Sequence, residues 1–466
     1  MRAPVRRSPL GSVPWARPRH ELLLVALVAL VTLTVVQPPN TQDRSRLCLS
    51  RAIVAGRLHA DRCIARSETE DFAAFGGHLY TDKAPGMSVL EIGPAEAVRL
   101  PPPAPGRWAA EGDLRLWLVH VLATGLPFLA CLLLVGRISE GLAPGWGGAA
   151  LVVFALGTEM GALAITGFDH VLTGALAFGA FVLAWARRPL AAGVAAGLAL
   201  TSEYEAAAIL AVLLAYVARD GVRPVVLYAG GALPGVLLLG AYDWAAFGAP
   251  WHASYRYLGN GLRNEQRSGV LGIHLPTAHG TWDVLAGQKG FLVAAPVLMA
   301  AAYGLFRVWE SGYRAEAAVC TTISAFFILA DCGYFQPYGG LSPGPRFVGT
   351  ALPFLALGLG PAFERLPRIT AVLAALSIVA STALALTWQQ VAYYRESVWG
   401  EIARAAAQGG SSRLLSSLPR DVLLWDLNRI AGAALVSGLA VAVFAVAVAP
   451  KMIVRRSSSA GRAPLL

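Results

Sequence analysis

Three lysines stand against thirty-five arginines in this chain, and one of them, Lys83, sits in the stretch GGHLYTDKAPGMS (76–88). A lysine is a compact point charge on a flexible stem, suited to a phosphate oxygen where the wider guanidinium fork does not fit. Asp82 precedes it, and an Ala-Pro-Gly turn follows, in which Pro85 fixes its own φ and Gly86 permits conformations closed to other residues. Carboxylates recur at Asp43 (PPNTQDRSR), at Asp169 beside His170 (ITGFDHVLTG), at Glu203 and Glu205 (TSEYEAA), and at Asp243 (AYDWAAFG). A carboxylate in hydrogen-bond reach of a hydroxyl can take its proton as general base. Arg346, behind Tyr338 and two glycines in YFQPYGGLSPGPRFVG, can grip a phosphate or carboxylate. Each acid alone also has a plainer reading. Asp43 suits a solvated or arginine-paired loop charge, Asp169 a helix N-cap, and Glu203 and Glu205 the acidic first turn of a helix. The rings around Asp243 suit an aromatic belt. Glu159, inside an apolar run, is harder to dismiss, because an ionisable group at membrane depth faces a cavity or a partner.

Such groups need a scaffold, and composition says which kind. Of the 466 residues, 56% are hydrophobic and 14% charged, with a mean hydropathy of +0.56; soluble domains carry about 25% charged residues. A membrane span takes about 20 apolar residues. Twelve runs qualify, near 20–37, 113–135, 146–165, 169–186, 189–201, 203–218, 223–247, 286–307, 316–334, 347–362, 368–388 and 427–450. The fifth and sixth are short and read equally as one broken helix, so the expectation is an all-α polytopic membrane protein of 11–13 spans. The first run is too long for a signal peptide and lacks a small-residue cleavage site, which makes it an anchor. The net charge of +10 does not imply nucleic acid, because the arginines sit at the ends of apolar runs and form no dense block. The Ala/Arg/Gly bias is that of a high-GC bacterial genome.

Arginine placement orients the spans. The basic tails 1–19 and 451–466, together with ARRP, ARDGVRP, FRVWESGYR and FERLPR, fall on one side by alternate counting. Both termini are therefore expected in the cytoplasm of a bacterial inner membrane, flanking one transmembrane domain over 20–450. The opposite face receives the segments 38–112, 248–285, 334–346 and 389–426, and function is expected there. Residues 44–57 read as a helix lying in the interface plane. VRLPPPAPG closes the first loop as an extended stretch. No internal repeat of the transporter kind is visible. The five cysteines show no metal spacing: Cys131 and Cys320 read as core, whereas Cys48 and Cys63 can pair if the first loop is extracytoplasmic. His59, His78, His252, His274 and His279 are scattered over outer loops, and no metal site is assigned.

The order of these elements resembles the membrane-embedded GT-C glycosyltransferases, among them the protein O-mannosyltransferases, the lipid A aminoarabinose transferases and bacterial arabinofuranosyl- and mannosyltransferases. The shared order is an acid after the first span, a Y-[ST]-D-K-x-P element, a second acid opening a short loop, then E-Y, Y-[ND]-x-x-x-F-G-x-P, G-F-L-x-x-x-P-V-L and GG-x-x-x-GPR. Here these are Asp43, YTDKAPG, Asp169, SEYEA, YDWAAFGAP, GFLVAAPVL and GGLSPGPR, over roughly 20–365. The resemblance implies a GT-C fold with a long first loop carrying interfacial helices, and inverting transfer of a sugar, of arabinofuranose or mannose type, from a polyprenyl-phosphate carrier. The acceptor it implies is an envelope glycan, glycolipid or protein. It implies Asp43 as base, Asp169 as a second acid orienting sugar or acceptor, and Lys83 with Arg346 on the donor phosphate. Tyr80, Asp82, His170, Glu203 and Tyr338 are the further substrate-binding candidates. The lipid-linked sugar is a substrate; no cofactor is required, and a divalent metal is left open. The competing reading is a transporter or flippase of a lipid-linked saccharide.

Overall fold

The computed structural model describes residues 18–34, 39–103, 114–340, 342, 344–386, 400 and 438–448. Residues 1–17 and 451–466 of the basic tails, the loop expected at 389–426 apart from Gly400, and part of the last expected span lie outside the described residues.

The first apolar run forms α1 (Pro18–Thr32). The first loop then folds into α2 (Thr41–Val54), α3 (Asp61–Ser67), the strands β1 (Ala73–Phe75) and β2 (His78–Tyr80), and α4 (Pro85–Ala97). The strands pair antiparallel, with Ala73 opposite Tyr80 and Phe75 opposite His78. Gly76 and Gly77 turn the hairpin with φ of 60° and 83°, the positive-φ pair that a two-residue connection requires. This hairpin corrects the all-α expectation at one place: a Gly-Gly turn between short stretches reads as loop until a neighbouring element gives the strands something to pack on.

After the loop come α5 (Leu114–His120) and α6 (Leu126–Leu142), joined through a π-turn at Val121–Gly125 into 29 continuous helical residues. The expected 146–165 span is split into α7 (Gly147–Leu156) and α8 (Met160–Ile165), with Thr158 and Glu159 at the break. Next are α9 (Asp169–Trp185), α10 (Pro189–Ser202), α11 (Ala206–Ala218) and α12 (Val222–Phe247). The two short apolar runs at 189–218 are thus two helices, divided at Glu203–Glu205. The second half holds α13 (Arg263–Arg267), α14 (Ala278–Ala286), α15 (Phe291–Ala294), α16 (Val297–Glu310) and α17 (Arg314–Gly333). A 3₁₀ turn at Arg346–Ala351 leads into α18 (Leu352–Ala356), α19 (Leu359–Arg365) and α20 (Pro367–Leu386).

Among the described residues, three helices are long and apolar enough to cross a bilayer: Leu114–Leu142, Val222–Phe247 and Arg314–Gly333. Two bent pairs and seven shorter apolar helices accompany them. The chain is a polytopic helical membrane protein, and the count of twelve does not follow from these helices.

Two glycines bring the first loop onto the helical body. Gly86 belongs to the first turn of α4, where Pro85 supplies the favoured N-terminal proline. Its expected role as a turn glycine is corrected to one of close approach: a Cβ there would lie 2.6 Å from both the carbonyl and the hydroxyl oxygen of Thr201, at the end of α10. Gly167 has φ of 70°, and a Cβ on it would meet His120 Nε2 and, at 2.9 Å, Asp43 Oδ1.

Candidate functional site

A cleft of about 260 Å³, open at its mouth, lies between the first loop, the segment after α12 and the stretch before the Arg346 turn. Lys83, Arg346, Asp82, Asp71, Glu205 and Tyr255 are on its wall. The Asp82–Lys83 pair is held from two sides. The Thr81 hydroxyl, itself 2.7 Å from Ser45 Oγ on α2, accepts the Lys83 backbone N–H, and Ser254 Oγ donates to the Asp82 carbonyl at 2.6 Å. Lys83 is 5% exposed. Its Nζ donates to Asp82 Oδ2 at 2.8 Å and to Asp71 Oδ1 at 3.3 Å, and lies 5.5 Å from the Tyr255 ring centroid. Two of its three N–H donors are thereby engaged, and the third is left for a ligand.

Arg346 supplies the second cation. Its guanidinium lies 5.2 Å from the Phe168 ring centroid and 5.4 Å from that of Phe347, and its Nε has no hydrogen-bond partner. Rings below a cation remove water without neutralising it, which leaves the charge available to an anion.

The charges of the first loop are mutually tuned. Burial pulls the Lys83 ammonium down, but Asp71 and Asp82 outweigh it and hold it above its ordinary value. Burial likewise pushes Asp71 up, yet Lys83 and the Thr41 hydroxyl bring it below the carboxylate range. Asp82 goes the other way, to about 6, because burial and the neighbouring Asp71 outweigh Lys83.

Behind this wall lies a buried ionic network that the sequence did not reveal. Asp43 is 1% exposed. Its Oδ2 accepts the Asn40 N–H and Asn40 Oδ1 accepts the Asp43 N–H, both at 2.9 Å, closing a capping box at the start of α2. Its Oδ1 faces His120 Nε2 at 3.4 Å and Arg46 Nη1 at 4.0 Å. Arg46, fully buried, reaches Asp169 Oδ2 at 2.6 Å, the Gly167 carbonyl at 2.9 Å and Gln42 Oε1 at 2.5 Å. Burial opposes its charge, but Asp169, Glu91 and Asp43 hold it well above its ordinary value. Glu91 on α4 is 1% exposed and its Oε2 has no hydrogen-bond partner. Burial pushes it to about 8 even though Arg46 pulls it down. On the other side of Asp169, His170 Nδ1 contacts Glu203, whose Oε2 accepts from Thr350 Oγ1 at 3.2 Å.

The sequence-derived candidates thus divide. Lys83, Arg346 and Asp82 share the cleft. Asp43, Asp169, His170 and Glu203 are off its wall: the first-turn acids of α2 and α9 face Arg46, and Glu203 engages His170. Asp169 is the first residue of α9, with Phe168 in the cap position and no side-chain cap bond, which departs from the N-cap reading. Tyr80 does not reach the cleft: the alternation of β2 turns it inward, against Phe247 with ring centroids 5.2 Å apart. Tyr338 is also away from it, donating to the Asp283 carbonyl at 3.1 Å. Arg46, Glu91, His120 and Asp71 were missed as functional candidates, and only the arginine count near Asp43 gave any signal.

Cys48 and Cys63 form a disulfide, with Cα atoms 5.5 Å apart, and Cys131 and Cys320 are buried as expected. Among the described residues, two groups have ligand atoms close enough for a metal ion: Asp169 with His170 and Glu203, and His59 with Asp61 and His78. In the first group Arg46 already engages Asp169, and Glu203 engages His170. Neither histidine of the second group is scattered, as the sequence had them.

Among solved structures, ArnT from Cupriavidus metallidurans bound to undecaprenyl phosphate shares the fold, with a TM-score of 0.54 at 14% identity over 93% of this chain and 77% of that one. The same protein in the apo state gives 0.48 at 17% identity, over 93% and 78%. ArnT is the lipid A aminoarabinose transferase of the GT-C family, so the fold implied by the motif order is the one the chain adopts. No family model and no curated protein matches the chain.

Proposed function

We propose that this protein is a membrane glycosyltransferase that moves a sugar from a polyprenyl-phosphate carrier to an acceptor of the cell envelope. The observation that carries this reading is Lys83 and Arg346 on the wall of one cleft, each with donors left for an anion. The binding of undecaprenyl phosphate by ArnT, which has the same fold, supports it. A polyprenyl phosphate leaves readily only if its developing charge is stabilised by donors already in place, and the two cations supply that stabilisation.

Inverting displacement also needs a base across the sugar from the phosphate. Asp71 and Asp82 are already paired with Lys83 and belong to the phosphate side. Glu205 comes to the cleft from a different element, the turn between α10 and α11, and its Oε2 is buried without a hydrogen-bond partner. We assign the base to Glu205. Asp43 is off the cleft wall, with Oδ2 in the capping box and Oδ1, also without a hydrogen-bond partner, 3.4 Å from His120 Nε2, so it takes that role only if the start of α2 opens. Asp43 and Asp169 then fix Arg46 and the walls. No cleft residue distinguishes an arabinofuranosyl from a mannosyl donor, so the proposal stops at the carrier and the reaction.

The disulfide in the segment that carries Lys83 suits an oxidising compartment, which supports an extracytoplasmic cleft in a bacterial inner membrane, with cytoplasmic termini by the arginine placement. The test is release of free polyprenyl phosphate from a labelled carrier-sugar by the purified protein in detergent. A flippase binds the carrier and releases none, and that result would retire the reading.

A further inference from the structure

The outer side of the first loop holds a group of ligating side chains that the transfer reaction does not use. Asp61 opens α3, and its Oδ1 accepts the Leu79 N–H at 2.6 Å, while the Ala60 N–H donates to the Leu79 carbonyl at 2.8 Å. The carboxylate is therefore locked to β2. Its other oxygen, Oδ2, faces two imidazoles at once: His59 Nδ1 at 2.9 Å and His78 Nδ1 at 3.0 Å. The two rings lie with centroids 4.1 Å apart and planes tilted by 33°. Against the upward push of partial burial, the Leu79 N–H, His78 and His59 hold Asp61 below the ordinary carboxylate range.

From this juxtaposition we infer that His59, Asp61 and His78 form a binding site for a divalent transition-metal ion of the zinc class. Two imidazoles and a carboxylate are a three-ligand set for such ions, with a further position open to water. Ligands at zinc distances in a tetrahedron are about 3.3 Å apart, so the observed oxygen–nitrogen separations need only a few tenths of an ångström to widen. The side chains are 31% (His59), 39% (Asp61) and 46% (His78) exposed, which gives an ion an entry path and a place for the open ligand. The Leu79 N–H on the far carboxylate oxygen is the outer contact that orients a metal-binding carboxylate. Rigidity comes from the hairpin and from Cys63, two residues beyond Asp61, in its disulfide with Cys48. Because β2 runs on within five residues of His78 to Lys83, an ion here would brace the strand that carries the cleft lysine.

The test uses the full chain without a histidine tag, titrated with Co²⁺ and followed by visible absorption, then challenged with Zn²⁺. The expected result is one saturable Co²⁺ per chain, displaced by Zn²⁺, with a rise in the thermal midpoint on loading. His59→Ala and His78→Ala should each weaken binding by about 10–100-fold or more, and His78→Gln serves where the alanine variant folds poorly. His279→Ala, an exposed histidine elsewhere, should bind as wild type. Absence of saturable binding, or binding that survives both loop variants, overturns the assignment. So does binding lost only in His170→Ala, which would move the ion to Asp169, His170 and Glu203.

Discussion

Replacing Lys83 by alanine removes a cation from between the buried Asp82 and the partly exposed Asp71 as well as from the cleft. Nζ is 2.8 Å from Asp82 and 3.3 Å from Asp71, so the alanine variant leaves two like charges facing each other and facing the incoming phosphate. Truncating one member of a desolvated charge pair costs about 2–5 kcal/mol in binding, which is about 30-fold to several-thousand-fold in affinity at 1.36 kcal/mol per decade. The same truncation destabilises the loop by about 3–5 kcal/mol, so affinity and folding have to be separated. The double variant Lys83→Met with Asp82→Asn removes the stranded charge and should recover much of the thermal midpoint without recovering donor affinity. Lys83→Arg should recover little of either, because a 5%-exposed site between Asp71, Asp82 and the Tyr255 ring has no room for the guanidinium fork. The assay is binding of undecaprenyl phosphate by the purified variants, with turnover on the carrier-sugar beside it. Wild-type affinity in the folded alanine variant would refute the placement of Lys83 on the phosphate. Wild-type behaviour of the arginine variant would refute the point-charge argument alone.

Glu205→Gln should lower turnover by about 10²-fold or more, the scale for losing a general base, with donor affinity kept. Asp43→Asn should instead lower the thermal midpoint, and the opposite pattern in the two variants would return the base to Asp43. Glu91, pushed to about 8 by burial from an ordinary 4.5, binds its proton more tightly when folded. Its contribution to stability should therefore be fully present below about 4.5 and be lost as pH rises through 8, by about 3–5 kcal/mol in all. Glu91→Gln should flatten that profile in thermal melts, and an unchanged profile would show that Glu91 is ionised in the fold. Opening the disulfide by Cys48→Ser should cost about 3 kcal/mol for its 15-residue separation, and in the wild-type chain both cysteines should resist impermeant thiol reagents on intact cells until reduced. Labelling without reduction would contradict the pairing.

The sequence by itself determined the membrane class, the long polar first loop and the order of short motifs that carries the GT-C resemblance. These are local or additive properties: hydropathy sums along a run, and a motif such as YTDKAPG is read within a few residues. It also gave Lys83 and Arg346, because a rare lysine and an arginine behind glycines stand out by type. The tertiary structure decided which charges share a cleft and which are sealed behind it. Arg46 meets Asp169 across more than a hundred residues, and nothing in either neighbourhood shows that one neutralises the other. Gly86 read as a turn glycine, whereas its missing Cβ serves contact with Thr201 on a distant helix. Asp43 read as a loop acid, either solvated or paired with an arginine; Arg46 is that partner, and the capping box and His120 join it around a buried carboxylate. His59 and His78 read as scattered until a hairpin only three residues long on each side brought them onto one carboxylate. In each case the deciding energy is the cost of burying a charge or a polar atom, and that cost is fixed by partners brought together only when the chain has folded.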